Sequence, residues 1–204
     1  MEFKKIQLNG FKSFADKTTF LIENGLTGIV GPNGCGKSNI VESLRWVMGE
    51  TSAKSMRGSG MEDVIFSGTS NKSSKNIAEV LVTVLNKGNE GPIQFKEFDE
   101  VNVRRKIEKD KGSKFYINDK EVRARDAQMF FADLSTGAHS PSMISQGRIG
   151  ALVTAKPTDR RAILEEAAGI SGLHVRRHEA ELRLSAAENN LKRADELRRQ
   201  QEKQ

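Results

Sequence analysis

The sequence GPNGCGKSN, at residues 31–39, restricts the fold of this chain more than any other feature. It matches the phosphate-loop pattern G-x-x-x-x-G-K-[ST]. The positions that the pattern specifies are held by Gly31, Gly36, Lys37 and Ser38. The apolar run at 26–30 predicts a strand before the loop, and apolar residues at helical spacing predict a helix over 37–48. This order predicts an α/β fold that binds a nucleotide.

The residue types of the loop suit a phosphate group. Its glycines allow backbone conformations that a Cβ hinders, so the amide groups of residues 33–38 can surround an anion at the positive end of the following helix. Lys37 is expected to reach the β- and γ-phosphates, and the Ser38 hydroxyl to ligate Mg²⁺. A glycine turn with a chance lysine is the alternative. The predicted ATP contacts in the loop are Pro32, Asn33, Gly34, Cys35, Gly36, Lys37, Ser38 and Asn39.

Composition and charge narrow the class of protein. The 204 residues are 36% hydrophobic and 29% charged, and the net charge of +6 favours an acidic partner, first of all nucleic acid. The alternative is that a polar helix after Pro157 supplies the charge. Cys35 is the single cysteine, so no intrachain disulfide forms and a reducing compartment is expected. No stretch approaches the ~20 apolar residues of a membrane span, which predicts a cytoplasmic protein with no membrane contact.

Other segments show strand and helix patterns. Two strands, at 3–8 and 18–22, form an antiparallel lead-in to the loop. Alternating residues between 77 and 123 predict hairpins in a β-lobe beside the nucleotide sheet. Helices are expected at 126–134, with Asp126 as N-cap, and at 159–168. Strands are expected at 64–66, 77–85, 101–107, 114–118, 121–123 and 142–145.

A long final helix runs from 171 to 204 without glycine or proline after Gly172. Its positions 173, 177, 180, 184, 187, 191, 194 and 198 step by four and three, as in a coiled-coil seam. Six of these eight positions hold leucine or alanine, three of them alanine, so the seam is thin and needs a partner helix. A solvated single helix is the alternative.

Five stretches together resemble one family. They are FKSFADKTTF, GPNGCGKSNIVESLRWVMGE, MRGSGMEDVIFSGT, ISQGRI and KPTDRRAILEEAAGI. In order and spacing they resemble the N-terminal half of the head of a structural-maintenance-of-chromosomes (SMC) ATPase of the bacterial chromosome-condensation type. The resemblance implies an α/β P-loop NTPase of the ABC type. Residues 1–157 are then half of the head, with a β-lobe at about 77–123, and 158–204 are the neck and the start of a coiled-coil arm.

The resemblance also assigns roles that the residues alone do not. A loop arginine or glutamine is usually solvated, but Arg57 in MRGSG matches an arginine that approaches the nucleotide phosphates. Gln146 in SQGRI matches the glutamine that contacts Mg²⁺ and the attacking water. Lys12 and Ser13 match positions that line the α- and β-phosphates.

The motifs that the chain lacks belong to the other half of such a head. The sequence contains no LSGG-like signature and no apolar run ending in Asp-Glu. We therefore expect one half of a longer protein, which binds ATP and Mg²⁺ weakly and hydrolyses ATP poorly by itself. Hydrolysis is expected to require the C-terminal half of the head and a second SMC protomer in a homodimer.

The expected partners are DNA and a kleisin-type subunit at the neck. Arg123 and Arg125 are predicted to contact DNA phosphates, with Arg104 and Arg105 as weaker candidates, although all four can also be solvated surface residues. Two other functions remain open. One is a DNA-repair coiled-coil ATPase of the same superfamily, and the other is a binding module for the kleisin subunit.

Overall fold

The computed structural model describes residues 2–86, 92–134, 143, 153–158, 160–161, 164 and 171–201. Within them, the strands are β1 (Glu2–Asn9), β2 (Thr18–Leu21), β3 (Ile77–Leu85), β4 (Glu100–Glu108), β5 (Gly112–Ile117) and β6 (Lys120–Val122). The helices are α1 (Lys37–Val47), α2 (Ala124–Asp133) and α3 (Ser171–Gln201). Short 3₁₀ helices span Lys54–Met56, Met61–Val64 and Ile93–Phe95.

The strands form one antiparallel sheet in the order β2-β1-β3-β4-β5-β6. The lead-in pair and the hairpins were predicted as separate units, but β1 pairs with β2 on one side and with β3 on the other. The predicted β-lobe is therefore continuous with the lead-in strands.

Alternation along the strands sends apolar side chains to one face of this sheet. Val101, Val103 and Ile107 of β4 are buried, whereas the residues between them, apart from Arg105, are only partly covered. The α1 and α2 helices contact β3, β4 and β5. Each fully buried valine or isoleucine contributes about 1.5–3 kcal/mol relative to an exposed one, so this inner layer is the core that holds α1 in place.

Helix α1 ends at a junction with α2. Gly49 follows the helix with a φ of 103° and donates its N–H to the carbonyl of Trp46 at 3.1 Å. The Gln128 amide of α2 donates to the Gly49 carbonyl at 2.8 Å, and a Cβ on Gly49 would collide with the Gln128 side chain. Glycine is therefore required both by the left-handed backbone and by the close approach of α2.

Arg105 lies inside this core, so the prediction that it contacts DNA is wrong. It is 3% exposed and donates to the carbonyls of Trp46 and Glu50, both at 2.7 Å, and to the Ser113 hydroxyl at 2.8 Å. Its guanidinium lies 4.6 Å from the ring centres of both Trp46 and Phe115. Burial lowers the pKa of Arg105 to about 10, an effect that the Glu50 carboxylate opposes, and the group stays charged at neutral pH. Position 105 is on the core face of β4, which a plain count of basic residues does not reveal.

The predicted strand at 26–30 is absent from the described sheet. Leu26 is fully exposed and Val30 is 96% exposed, and residues 26–30 belong to neither a helix nor a strand. A strand requires a hydrogen-bonded neighbour, and no described strand runs beside this segment. Residues 26–30 are apolar, as a buried strand requires, but no neighbouring strand for them lies among the described residues.

Two further local predictions are wrong. A strand was predicted at 64–66. Val64 is instead the last residue of the 3₁₀ helix Met61–Val64, and Ile65 makes only an isolated bridge, to Phe11. Asp126 is not the N-cap of α2, which is Arg123; the Asp126 carboxylate instead accepts the backbone N–H of Arg123 at 3.3 Å from inside the first turn. Most of the predicted elements at 142–145 and 159–168 lies outside the described residues.

The final helix was predicted correctly over 171–201. The seam positions whose side chains the structure describes are all exposed, including Leu184 at 63% and Leu191 at 68%. None of the helices in the described part of the chain combines the length and the apolar character required to cross a membrane.

We expect Arg105→Lys to lower the free energy of unfolding by about 2–3 kcal/mol, because a buried ammonium group cannot reproduce the planar fork that reaches the Trp46 and Glu50 carbonyls and the Ser113 hydroxyl. Urea unfolding of the 204-residue chain measures the change. Arg104→Lys is the matched control, because Arg104 is next along β4 and points to the opposite, partly exposed face; it should cost less than about 1 kcal/mol. Equal losses in the two variants would contradict the role assigned to Arg105.

Candidate nucleotide-binding site

The phosphate loop has the backbone that its glycines predicted. Gly34 and Gly36 have φ values of 83° and 95°, and residues 32–35 are exposed. A Cβ on Gly36 would lie 2.5 Å from the Ser13 hydroxyl oxygen, so glycine is needed there for space as well as for conformation. The loop therefore presents backbone to solvent at the N-terminus of α1.

Lys37 folds back across this loop. Its ammonium group donates to the carbonyls of Gly31 at 2.5 Å and Pro32 at 2.6 Å, which holds a positive charge over the loop. Across the described residues, no side chain caps the N-terminus of α1, and its first turn holds no acidic residue. The partial positive charge of the helix end is thus uncompensated by any described acidic or capping side chain, and the residues present fit a phosphate group.

The fit to Mg²⁺ is less complete in the described residues. Ser38 is exposed at the start of α1, where its hydroxyl can serve as one metal ligand. Among the described residues, no group of three or more His, Cys, Asp or Glu side chains converges on one point. Gln146, the second predicted ligand, lies outside the described residues. A magnesium ion here would take ligands from phosphate oxygens and water as well as from Ser38.

The turn at residues 11–14 lies against the loop. It is closed by reciprocal backbone hydrogen bonds between Phe11 and Phe14, at 3.0 and 2.8 Å. The Ser13 hydroxyl accepts a hydrogen bond from the Asn39 amide at 2.9 Å. Lys12 instead points toward α1, where its ammonium group pairs with Glu42 and also donates to the Met56 carbonyl. Ser13 thus borders the phosphate loop, and Lys12 is held one turn further along α1.

Arg57 reaches the same part of α1 from the loop after the first 3₁₀ helix. Its guanidinium donates to the Asn39 side-chain oxygen at 3.1 Å and pairs with Glu42. The structure therefore brings Lys12, Ser13, Asn39 and Arg57 together around the first two turns of α1, although they are separated by up to 45 positions in sequence.

Sequence reasoning missed Glu42, the residue that joins this cluster. Its side chain is 11% exposed and contacts both Lys12 and Arg57. One sequence signal could have found it, because Asn39 and Glu42 are three residues apart and so lie on the same face of the predicted helix. The polar side chains on that face of α1 need polar partners, and Lys12 and Arg57 supply them.

The remaining predicted DNA contacts differ in their surroundings. Arg123 and Arg125 are exposed at the junction between β6 and α2. Arg104 is on the outer face of β4, where it pairs with Asp119 at 3.1 Å and lies 4.5 Å from the ring centre of Tyr116. Its charge is partly neutralised by Asp119, which makes it less available to a phosphate.

Comparisons with known proteins agree on one family. The family model for the RecF/RecN/SMC N terminal domain matches residues 2–149. The chain is 56% identical over 197 residues to the chromosome partition protein Smc of Cereibacter sphaeroides, and 44% identical over 204 residues to that of Myxococcus xanthus. These matches cover 97% and 100% of this chain, which spans 17% of the length of each relative.

Solved structures show the same relationship. One, from work on ATP-driven dimerization and DNA-stimulated activation of SMC ATPases, is 32% identical with a TM-score of 0.70, covering 82% of this chain and 99% of that chain. The Pyrococcus furiosus Smc head with an extended coiled coil, bound to the C-terminal domain of ScpA, is 32% identical with a TM-score of 0.77, covering 96% of this chain and 49% of that chain. The chain therefore belongs to the RecF/RecN/SMC N-terminal domain family and has the ABC-type P-loop NTPase fold of the N-terminal half of an SMC head.

Proposed function

We propose that this chain is the ATP-binding half of the head of a chromosome-organising SMC ATPase. The observation that carries the proposal is the exposed phosphate loop at the N-terminus of α1, which no described side chain caps, with Lys37 folded across the loop. The high identity to chromosome partition proteins favours chromosome organisation over a DNA-repair ATPase. A cytoplasmic, nucleoid-associated location and a homodimer are part of the proposal.

In this proposal the chain binds and orients ATP, and it does not complete ATP hydrolysis alone. The loop amides and Lys37 hold the β- and γ-phosphates, Ser38 and Gln146 hold Mg²⁺, and Ser13 lies beside the phosphates. Bound Mg²⁺ supplies charge neutralisation on the phosphate oxygens. Phosphoryl transfer depends on positioning and electrostatics, and the signature and general-base residues are absent from this sequence. We infer that turnover requires the C-terminal half and a second protomer.

DNA contact is proposed for the start of α2. Arg123 is the N-cap of this helix and Arg125 is in its first turn, where positive charge opposes the helix dipole. Both are exposed, so they do not contribute to the core. Recognition of DNA phosphates accounts for two arginines at this position, with Arg104 as a weaker contributor.

A partner helix is proposed for α3. The seam residues Leu184 and Leu191 are exposed, and a helix of 31 residues with such a polar surface requires packing to stay ordered. One of the similar solved heads is bound to the C-winged helix domain of ScpA, and another is bound to the C-terminal domain of ScpA. We propose that α3 pairs with a returning coiled-coil helix and that a kleisin subunit binds near it.

We expect Lys37→Ala to weaken ATP binding at least about tenfold and to reduce turnover at least about a hundredfold, because a charge-assisted contact to the phosphates is lost. ATP hydrolysis is measured after this chain is mixed with the C-terminal half of the head. Lys111→Ala, in the turn between β4 and β5, is the control and should change neither quantity. Unchanged turnover in the Lys37→Ala protein would exclude the proposed function.

Replacing Arg123 and Arg125 together by alanine should weaken DNA binding and reduce the slope of log K against log salt by about two, since two phosphate contacts are removed. Fluorescence anisotropy with duplex DNA at several salt concentrations measures the slope. The control replaces Lys72 and Lys111 by alanine, which removes the same net charge elsewhere. Equal slopes for the two double variants would contradict a specific contact at the start of α2.

Leu184→Glu and Leu191→Glu should each weaken association with a C-terminal half that includes the returning helix, by at least about tenfold, because a leucine side chain in a coiled-coil seam contributes about 1.5–3 kcal/mol. Leu182→Glu is the matched control, since Leu182 is 58% exposed but lies off the seam. Isothermal titration calorimetry measures each affinity. An equal loss for Leu182→Glu would show that the seam was assigned to the wrong face.

A further inference from the structure

We propose that Glu42 is a positioning residue for the nucleotide site, which orients Arg57 toward the phosphate loop through a shared ion-pair cluster with Lys12. The inference rests on the proposed ATPase function and deepens it, because it assigns the carboxylate on which the geometry of both cations depends. The cluster consists of Lys12, Asn39, Glu42 and Arg57.

The two oxygens of Glu42 are used separately. Oε1 pairs with the Arg57 guanidinium, and Oε2 accepts from the Lys12 ammonium group. The Glu42 side chain is 11% exposed. A carboxylate can accept on both oxygens, whereas an amide of the same shape accepts on one and donates on the other. Glutamine at position 42 would therefore place an N–H group against one of the two cations. The cluster therefore requires a side chain with two acceptor oxygens at position 42.

The backbone of both Lys12 and Arg57 has an unfavourable left-handed conformation. Among the described non-glycine residues, five have a positive φ, and three of them are Asp or Asn, residue types that tolerate the left-handed conformation. The other two are Lys12 at 46° and Arg57 at 55°. A left-handed conformation costs an ordinary residue about 1–2 kcal/mol. Among the described residues other than Gly, Asp and Asn, only Lys12 and Arg57 have a positive φ, and both side chains pair with Glu42, so these ion pairs offset the cost.

Position along α1 connects the cluster to the phosphate loop. Asn39 is two residues after Lys37, donates to Ser13 and accepts from Arg57. Glu42 lies one turn further on the same helix face. Arg57 is thus held by two contacts, one to Asn39 beside the loop and one to Glu42 behind it. The Arg57 side chain is 58% exposed, so without Glu42 one neutral hydrogen bond would have to hold an otherwise solvated guanidinium.

The charge of Glu42 has a second, opposite effect on the nucleotide. A carboxylate near the loop opposes the binding of phosphate, since like charges repel. Removing that charge should leave ATP affinity unchanged or tighter, while the loss of Arg57 orientation should slow turnover. If Glu42 had only a folding role, its replacement would instead reduce ATP binding, ATP turnover and the stability of the fold together.

The test is a double-mutant cycle in this chain mixed with the C-terminal half of the head, with ATP turnover and ATP affinity both measured. Glu42→Gln should lower kcat about tenfold, the effect of losing one charge-assisted hydrogen bond, without raising the Kd for ATP. Arg57→Ala should lower kcat at least as much. Because Glu42 acts through Arg57, the double variant should turn over at the rate of Arg57→Ala alone.

Two further variants keep the test decisive. Glu100→Gln removes a carboxylate from the exposed pair with Lys4 and should leave kcat within about twofold. Glu42→Asp keeps two acceptor oxygens and should retain at least about threefold more turnover than Glu42→Gln; it replaces Glu42→Gln in the cycle if that variant does not fold.

Three outcomes would overturn the proposal: an unchanged kcat in Glu42→Gln, losses that multiply in the double variant, or a parallel loss of ATP affinity. These differ from a failure of the proposed function. If Lys37→Ala leaves turnover unchanged, the ATPase assignment itself is wrong. If Lys37→Ala abolishes turnover while the Glu42 and Arg57 losses multiply, only the positioning role is excluded.

Discussion

The buried guanidinium of Arg105 is the interaction on which the placement of α1 depends. It extends from the core face of β4 to the Trp46 and Glu50 carbonyls at the C-terminal end of the helix, between two aromatic rings. A cation is favourable at a helix C-terminus, and here it also satisfies carbonyls that have no solvent. The α1 helix is about 16 Å long, so fixing this end on the sheet also fixes the direction of the phosphate loop at the other end.

The site is organised along the same helix. At the first turn, the backbone, Lys37 and Ser38 are arranged for an anion, and one turn later Glu42 collects two cations from segments distant in sequence. Opposite charges thus alternate along α1: the positive helix end, the Glu42 carboxylate and then Arg105 at the far end. The polar residues of this helix therefore determine the geometry of its neighbours as much as its apolar face does.

Sequence patterns predicted the elements that local chemistry determines. The phosphate loop, α1, the hairpin strands and α3 follow from glycine positions and from periods of 3.6 or 2, which act over a few residues. The segment 26–30 was predicted as a strand on the same grounds and is not one in the described chain, because a strand needs a hydrogen-bonded neighbour and its own residues supply none. Arg105 was grouped with Arg104 because both are basic, although they are on opposite faces of β4.

The sequence by itself determined that this chain carries a phosphate loop at a helix N-terminus, an antiparallel sheet and a long polar helix. It also pointed to the family, through motifs whose order and spacing are specific. Only the tertiary structure decided which basic residues are available to a ligand and which are structural. The physical reason is that a charge acquires its role from burial and partners: Arg105 and Glu42 obtain theirs from segments far away in the chain, which no local pattern contains.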